Sequence, residues 1–321
     1  IIGAGIFVFP ASLAKFGSIS IVGWLFTATG ALILAKIFSN FSKKLKGKSG
    51  GPYIYSKVVF GDFIGFLVAW GYWISCWVNN AAIAVAIVSA LSFFFPELVT
   101  NPFYASITGL SFIWFFTFTS SKGIKSSGNI QILTTIAKLI PLVLIILFGF
   151  FIFDLEIFPE FNLTDQNDFE ILPVVAVMTL YAFLGLECAS IPAENIKNPE
   201  KTIPKATMVG TLISTLIYIL STIVLFGIIP AENLVNSPAP FAEAGEIIGG
   251  KYFGFLISAG AAISAIGALN GWILITSYMP MTMANDRLFP KVFAKKNKKG
   301  FPYLSLLLGS ILTSFVMIMN Y

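Results

Sequence analysis

The sequence predicts an all-α polytopic membrane protein in which two of the helices are interrupted. Three observations carry that reading. The 321 residues are 57% hydrophobic and 11% charged, with a mean hydropathy of +0.87, against about 45–50% apolar and about 25% charged in soluble domains. The apolar sequence falls into nine stretches, at 1–16, 21–40, 63–94, 103–119, 130–153, 171–192, 206–229, 253–283 and 302–320, most of them near the roughly 20 residues that a bilayer-crossing helix needs. Two of them, IIGAGIFVFP from Ile1 to Pro10 and YAFLGLECASIP from Tyr181 to Pro192, are broken by glycine and stopped by proline.

The first stretch carries Gly3, Ala4 and Gly5. An unwound segment there would free backbone N–H and C=O groups to bind charged parts of a solute. Close packing through small residues explains the same pattern, and both readings stay open on spacing alone. The loop after the second stretch, Gly47 to Phe66, holds a Gly50-Gly51-Pro52 turn and a helix that leads into the third. In the third, Tyr72, Cys76 and Asn80 stand at i, i+4 and i+8 on one helix face, which suits a pocket wall or a set of interhelical hydrogen bonds. Lys138 lies mid-way along the fifth stretch, three residues before Pro141. It is too deep to snorkel, so it needs a carbonyl or carboxylate partner in the bundle interior. In the sixth, Gly185 stands beside Glu187, and a glutamate inside an apolar span marks a functional site by its expense. Residues 237–250 begin with Pro238 and Pro240 and suit a short surface helix before the eighth stretch, where Asn270 and Trp272 sit among small residues. A tryptophan that far from either interface can stack on a cation or plug a pathway.

The loops alternate in charge. Lys43, Lys44, Lys46 and Lys48 follow the second stretch, Lys122 and Lys125 the fourth, Lys197, Lys201 and Lys205 the sixth, and Arg287, Lys291, Lys295, Lys296, Lys298 and Lys299 the eighth. The loop after the fifth carries six acids and no base. This positive-inside pattern places the start of span one on the cytoplasmic side and excludes a nucleic-acid surface. Cys76 and Cys188 both lie in apolar segments, so no disulfide scaffold is expected. With no histidine in the chain, neither a metal nor a cofactor is expected, and proton coupling falls to a carboxylate or a lysine. The chain starts inside one apolar run and ends directly after another, as a piece of a longer protein would. Two interrupted helices in corresponding halves point to a substrate site near the bilayer midplane, and so to a transporter rather than an enzyme. A membrane sensor or scaffold that binds without flux could share the fold.

In order, IIGAGIFVFPASLA, GGPYIYSKVVFGDFIGF, WISCWVNNAA, YAFLGLECAS, AENIKNPEKTIPKA, LNGWILITSYMP and ANDRLFPKVFAKKNKKG resemble the amino acid–polyamine–organocation transporter family, most of all its bacterial arginine/agmatine and putrescine/ornithine antiporters. The resemblance implies a discontinuous-helix fold of five plus five inverted spans, with residues 1–153 as the first repeat and 154–321 as part of the second. The start of span one and spans ten to twelve would be missing. It implies alternating access in a bacterial inner membrane, exchange of a basic amino acid or polyamine, and admits a homodimer. Residue by residue, the substrate carboxylate would meet Gly3, Ala4 and Gly5 beside Ile1, and its amine the carbonyls near Ala182, Leu184 and Gly185. Tyr72, Cys76 and Asn80 match pocket positions, and Tyr181 and Trp272 match aromatic residues around the bound solute. Glu187 matches a proton-linked glutamate. Lys138 stands where sodium-coupled cousins bind sodium, so no sodium is expected. Ala4, Tyr181 and Lys138 depart from the arginine/agmatine pattern, which leaves a proton-coupled importer of neutral amino acids as the second reading.

Overall fold

The structure is a computed structural model that describes residues 1–3, 5–45, 48–92, 94–298 and 300–320, with only the backbone of 124–126. Ala4, Lys46, Gly47 and Lys299, singled out above, lie outside the described residues. A 3₁₀ turn, Gly5–Phe7, leads into α1 (Phe9–Ala14), α2 (Ile19–Lys44), α3 (Pro52–Phe60), α4 (Asp62–Ser92), α5 (Glu97–Thr100), α6 (Pro102–Ser121) and α7 (Ile124–Gly149). After an irregular loop come α8 (Asp168–Tyr181), α9 (Pro199–Phe226), α10 (Ala231–Asn236), α11 (Pro240–Asn285) and α12 (Tyr303–Ile318). Among the described residues five helical segments are long and apolar enough to cross a membrane: Ile19–Lys44, Asp62–Ser92, Ser127–Gly149, Pro199–Phe226 and Pro240–Asn285. The chain is thus all-α and multi-pass.

The second expected interruption is present, and in the first stretch Gly3 and Gly5 lie outside any α-helix. The first stretch yields only the 3₁₀ turn and the six-residue α1. The sixth ends its α-helix at Tyr181, and residues 182–196 continue as turns and two short 3₁₀ pieces. Gly185 has φ +99° there, a conformation that a side chain would strain. The short helix expected before the eighth stretch is the first part of α11, set off by a kink at Gly249 and Gly250. Local chemistry fixes other boundaries. Asn101 caps α6 by accepting from the N–H groups of Phe103 and Tyr104, with Pro102 in its first turn. Asn167 caps α8 in the same way, and Asp168 and Glu170 complement its dipole.

The chain packs as two compact units, each made of several segments. The first contains Ile1–Ala35, Ile136–Leu186 and Met208–Ser264; the second contains Lys36–Thr135, Glu187–Thr207 and Ala265–Tyr321. The second interruption is therefore divided, at Leu186/Glu187. In the first unit small residues set the helix spacing. A Cβ at Gly23 would lie 2.3 Å from Val175, and one at Gly260 would lie 2.2 Å from Pro141. Gly17, with φ +82°, lets α2 begin against the loop, where the N–H groups of Ser18 and Ile19 donate to the carbonyls of Glu160 and Phe161.

In the second unit α3 works as a strap. The Gly50 N–H donates to the Ile191 carbonyl, and the Glu194 N–H donates to Ser49 Oγ. Gly51 sits so close to Ser190 that a Cβ would fall 2.7 Å from its hydroxyl. At the same strap Tyr53 donates to Asp286 Oδ2 at 2.5 Å, and Lys57 pairs with Asp286 at 2.8 Å and with Asp62 at 3.3 Å. Burial and then Asp286 push the Tyr53 hydroxyl above its ordinary pKa. For Lys57 burial pulls downward, but Asp286 and Asp62 outweigh it and the ammonium is held above its usual value.

Two outcomes follow. Gly260→Val should destabilise the protein by about 1–3 kcal/mol through overpacking against Pro141, seen as a lower apparent melting temperature in detergent; an unchanged transition would refute the close approach. Because Tyr53 and Lys57 bind protons more tightly folded than unfolded, the cluster's contribution is whole below about pH 10 and declines as pH rises through the raised values. Asp286→Ala should therefore lower the melting temperature at pH 7 and flatten its alkaline decline, which thermal scans across pH would test.

Candidate functional site

The first unit gathers the loose carbonyls of the first interruption. Unwinding deprives them of their helical partners, and inside an apolar bundle each needs a donor. Three helices supply one each. Lys138 of α7, 3% exposed, donates its ammonium to the Ile2 carbonyl. Tyr218 of α9 donates to the Ile1 carbonyl at 3.1 Å, and Ser264 of α11 to the Gly3 carbonyl at 2.9 Å. Tyr218 also reaches the second interruption, with the Ala182 carbonyl 3.0 Å from its hydroxyl. Gly5 is closely packed, since a Cβ would lie 2.9 Å from the Phe9 ring. Tyr181 is 55% exposed and meets Phe9 edge-on at 6.3 Å, and Leu184 is 52% exposed. These two large side chains at the end of α8 and in the break are open, while Ala182, Phe183 and Gly185 are buried.

The second unit holds a different cluster, centred on a buried carboxylate. Glu187, 8% exposed, accepts from the Tyr72 hydroxyl at 2.7 Å and from the Cys188 thiol at 3.8 Å. Cys76, one turn along α4 from Tyr72, is buried. Asn80 donates to Thr276 Oγ1 at 3.0 Å, and Thr276 donates onward to the Trp272 carbonyl at 2.7 Å. The rings of Tyr72 and Trp272 stand 6.4 Å apart. Asn270 is occupied elsewhere, bonded to Ser127 and Gln131 of α7. Among the described residues no group of three His, Cys, Asp or Glu side chains is placed to hold a metal ion.

Within the first unit the structure brings together Ile1, Gly3, Lys138 and Ala182; within the second it joins Tyr72, Cys76, Asn80, Glu187 and Trp272. Sequence reasoning passed over Tyr218, Ser264, Thr276 and Cys188 as partners. A signal for the first did exist: Thr211, Ser214, Tyr218 and Thr222 recur at helical spacing along one apolar stretch, and all four are buried.

A multi-pass helical bundle with interrupted spans, their loose backbone answered by interior donors, is the build of a secondary transporter. The chain belongs to the amino acid permease family, whose sequence profile matches residues 1–321. It is similar to the cadaverine/lysine antiporter of Escherichia coli (strain K12), at 33% identity over 318 residues that cover 99% of this chain and 71% of that one. It is also similar to the putative arginine/ornithine antiporter of Bacillus subtilis (strain 168), at 31% identity over 97% of this chain and 72% of that one. The arginine/agmatine antiporter of Chlamydia pneumoniae is 32% identical over 100% of this chain and 69% of its own. The family resemblance read from the motifs is thereby borne out.

Thr276→Val tests the second cluster. It leaves the Asn80 amide without its acceptor, at a cost of about 1–3 kcal/mol for a buried unpaired group. The expected result is a lower melting temperature together with weaker protection by added substrate; normal values for both would show that the Asn80–Thr276–Trp272 chain is dispensable.

Proposed function

We propose that this protein is an antiporter that exchanges basic amino acids for one another or for their decarboxylated amines. The observation that carries this is the match across nearly the whole chain to antiporters of such solutes from three organisms, at 31–33% identity. The geometry supports it. Non-helical backbone at 1–3 and at 182–187, one on each side of a division at 153/154, supports a five-plus-five inverted repeat. The substrate carboxylate would bind N–H groups around Gly3 and Gly5. The α-amine would meet carbonyls near Ala182 to Gly185. Exposed Tyr181 would stack on the cationic side chain more weakly than a tryptophan would. Glu187 would carry the proton-linked step. The Lys138 ammonium, already on a carbonyl of the interruption, supplies a fixed positive charge where a bound cation would otherwise serve, which supports transport without sodium. The lysine-rich loops support a cytoplasmic start of span one in a bacterial inner membrane.

Proteoliposomes test this. Labelled arginine should enter vesicles loaded with arginine, ornithine, lysine or putrescine at least tenfold faster than empty ones, with no response to sodium. Equal uptake into empty vesicles would sink obligate exchange. Alanine uptake driven by a proton gradient would establish the neutral importer instead, and binding without flux would establish a sensor.

A further inference from the structure

In the second unit α11 ends on an arginine where a helix stop favours glycine. The N–H of Leu288 donates to the Met283 carbonyl at 2.9 Å and that of Arg287 to the Ala284 carbonyl at 3.2 Å, the paired bonds that close a helix through one left-handed residue. That residue is Arg287, at φ +63°. Glycine takes this conformation freely, whereas a side chain there costs stability. Nor does Asp286 hold the guanidinium: its carboxylate is engaged by Tyr53 and Lys57, and Arg287 is exposed.

Arg287 opens a run of cations. Lys291, Lys295, Lys296 and Lys298 follow it, with no acid from 287 to 298. All five are exposed, and among the described residues none of them pairs with a carboxylate. The run is tied down on both sides. The Phe289 ring meets Trp70 at 6.0 Å and Trp73 at 6.1 Å, and Phe293 packs on Phe289 at 5.0 Å. Asn297 donates to the Ser121 carbonyl at 2.8 Å. Like charges held close together repel, and an anion among them relieves that repulsion.

Beside the run lies an apolar face. Phe63, Leu67 and Trp70 stand at i, i+4 and i+7 near the start of α4, and all three are exposed. Trp70 joins the two features. It belongs to that face, and it touches Phe289, two residues after Arg287 and two before Lys291. A dissolved anion or an acidic peptide would use the cations and leave the face uncovered. A phospholipid with a negative headgroup uses both, and a guanidinium offers phosphate oxygens two parallel N–H groups.

We propose that Arg287 and Lys291 bind the phosphate of an anionic phospholipid whose acyl chains lie along Phe63, Leu67 and Trp70. The site goes beyond the transport reading and does not depend on it. Delipidated protein in a neutral detergent, given phosphatidylglycerol or phosphatidylcholine, tests it by native mass spectrometry and thermal scans. Phosphatidylglycerol should be retained about tenfold better than phosphatidylcholine and should raise the melting temperature. Arg287→Gly should cut that retention about tenfold, the scale of one charge-assisted hydrogen bond. Its melting temperature without lipid should stay the same or rise, because glycine relaxes the left-handed turn. Equal retention of the two lipids overturns the proposal. So does undiminished retention in Arg287→Gly, or a melting temperature that falls as far without lipid as with it, which would make the arginine structural. Inorganic phosphate giving the whole stabilisation would identify a free-anion site, and polyglutamate binding tighter than the lipid would identify an acidic protein partner; either overturns the lipid. Should Arg287→Gly not fold, Lys291→Gln, at an exposed position, should lower phosphatidylglycerol retention about fivefold, and unchanged retention there would overturn the proposal.

Discussion

An opened stretch of backbone inside lipid must find donors, and this constraint organises the first unit. An α-helix satisfies its own carbonyls, so an apolar span needs nothing from its neighbours beyond contact. Residues 1–3 are not helical, and their carbonyls draw in Tyr218, Lys138 and Ser264 from three separate helices. Helices holding such donors must come close and stay aligned, and the small residues achieve that. Gly260 on α11, one turn before Ser264, lies against Pro141 on α7, one turn after Lys138. The close approach and the two donors occur on the same pair of helices, so packing and polar satisfaction enforce one geometry.

The second unit solves a related problem with a charge. Glu187 lies within the second interruption, where the helical pattern has stopped supplying local partners. Its carboxylate is met by the Tyr72 hydroxyl and the Cys188 thiol. The strap at α3 holds the continuation of this segment from the other end, through Ser49, Gly50 and Gly51 on residues 190–194. Asp286 in turn fixes the strap to the end of α11.

Much of this was legible in the sequence where a residue violated its surroundings. Lysine in the middle of TTIAKLIPLV has to have a partner, and glycine at 3, 5 and 185 announced the interruptions. Glu187 stood out by its cost alone. Ser264 and Thr276 did not, because serine and threonine hydroxyls are tolerated in membrane helices, where they can bond back to the preceding turn. Thr276 does that as well, donating to Trp272 while accepting from Asn80. The strap cluster was hidden for another reason: Tyr53 and Asp286 are 233 positions apart, and loop charges read by the positive-inside rule look like topology signals, whatever they pair with.

The same distinction separates specificity from mechanics in this chain. Backbone donors and acceptors read only the α-groups of a solute, which all amino acids share. Beside that backbone Tyr181 and Leu184 are exposed, 55% and 52%. An aromatic face there favours a cation, and the phenol does so less strongly than an indole would.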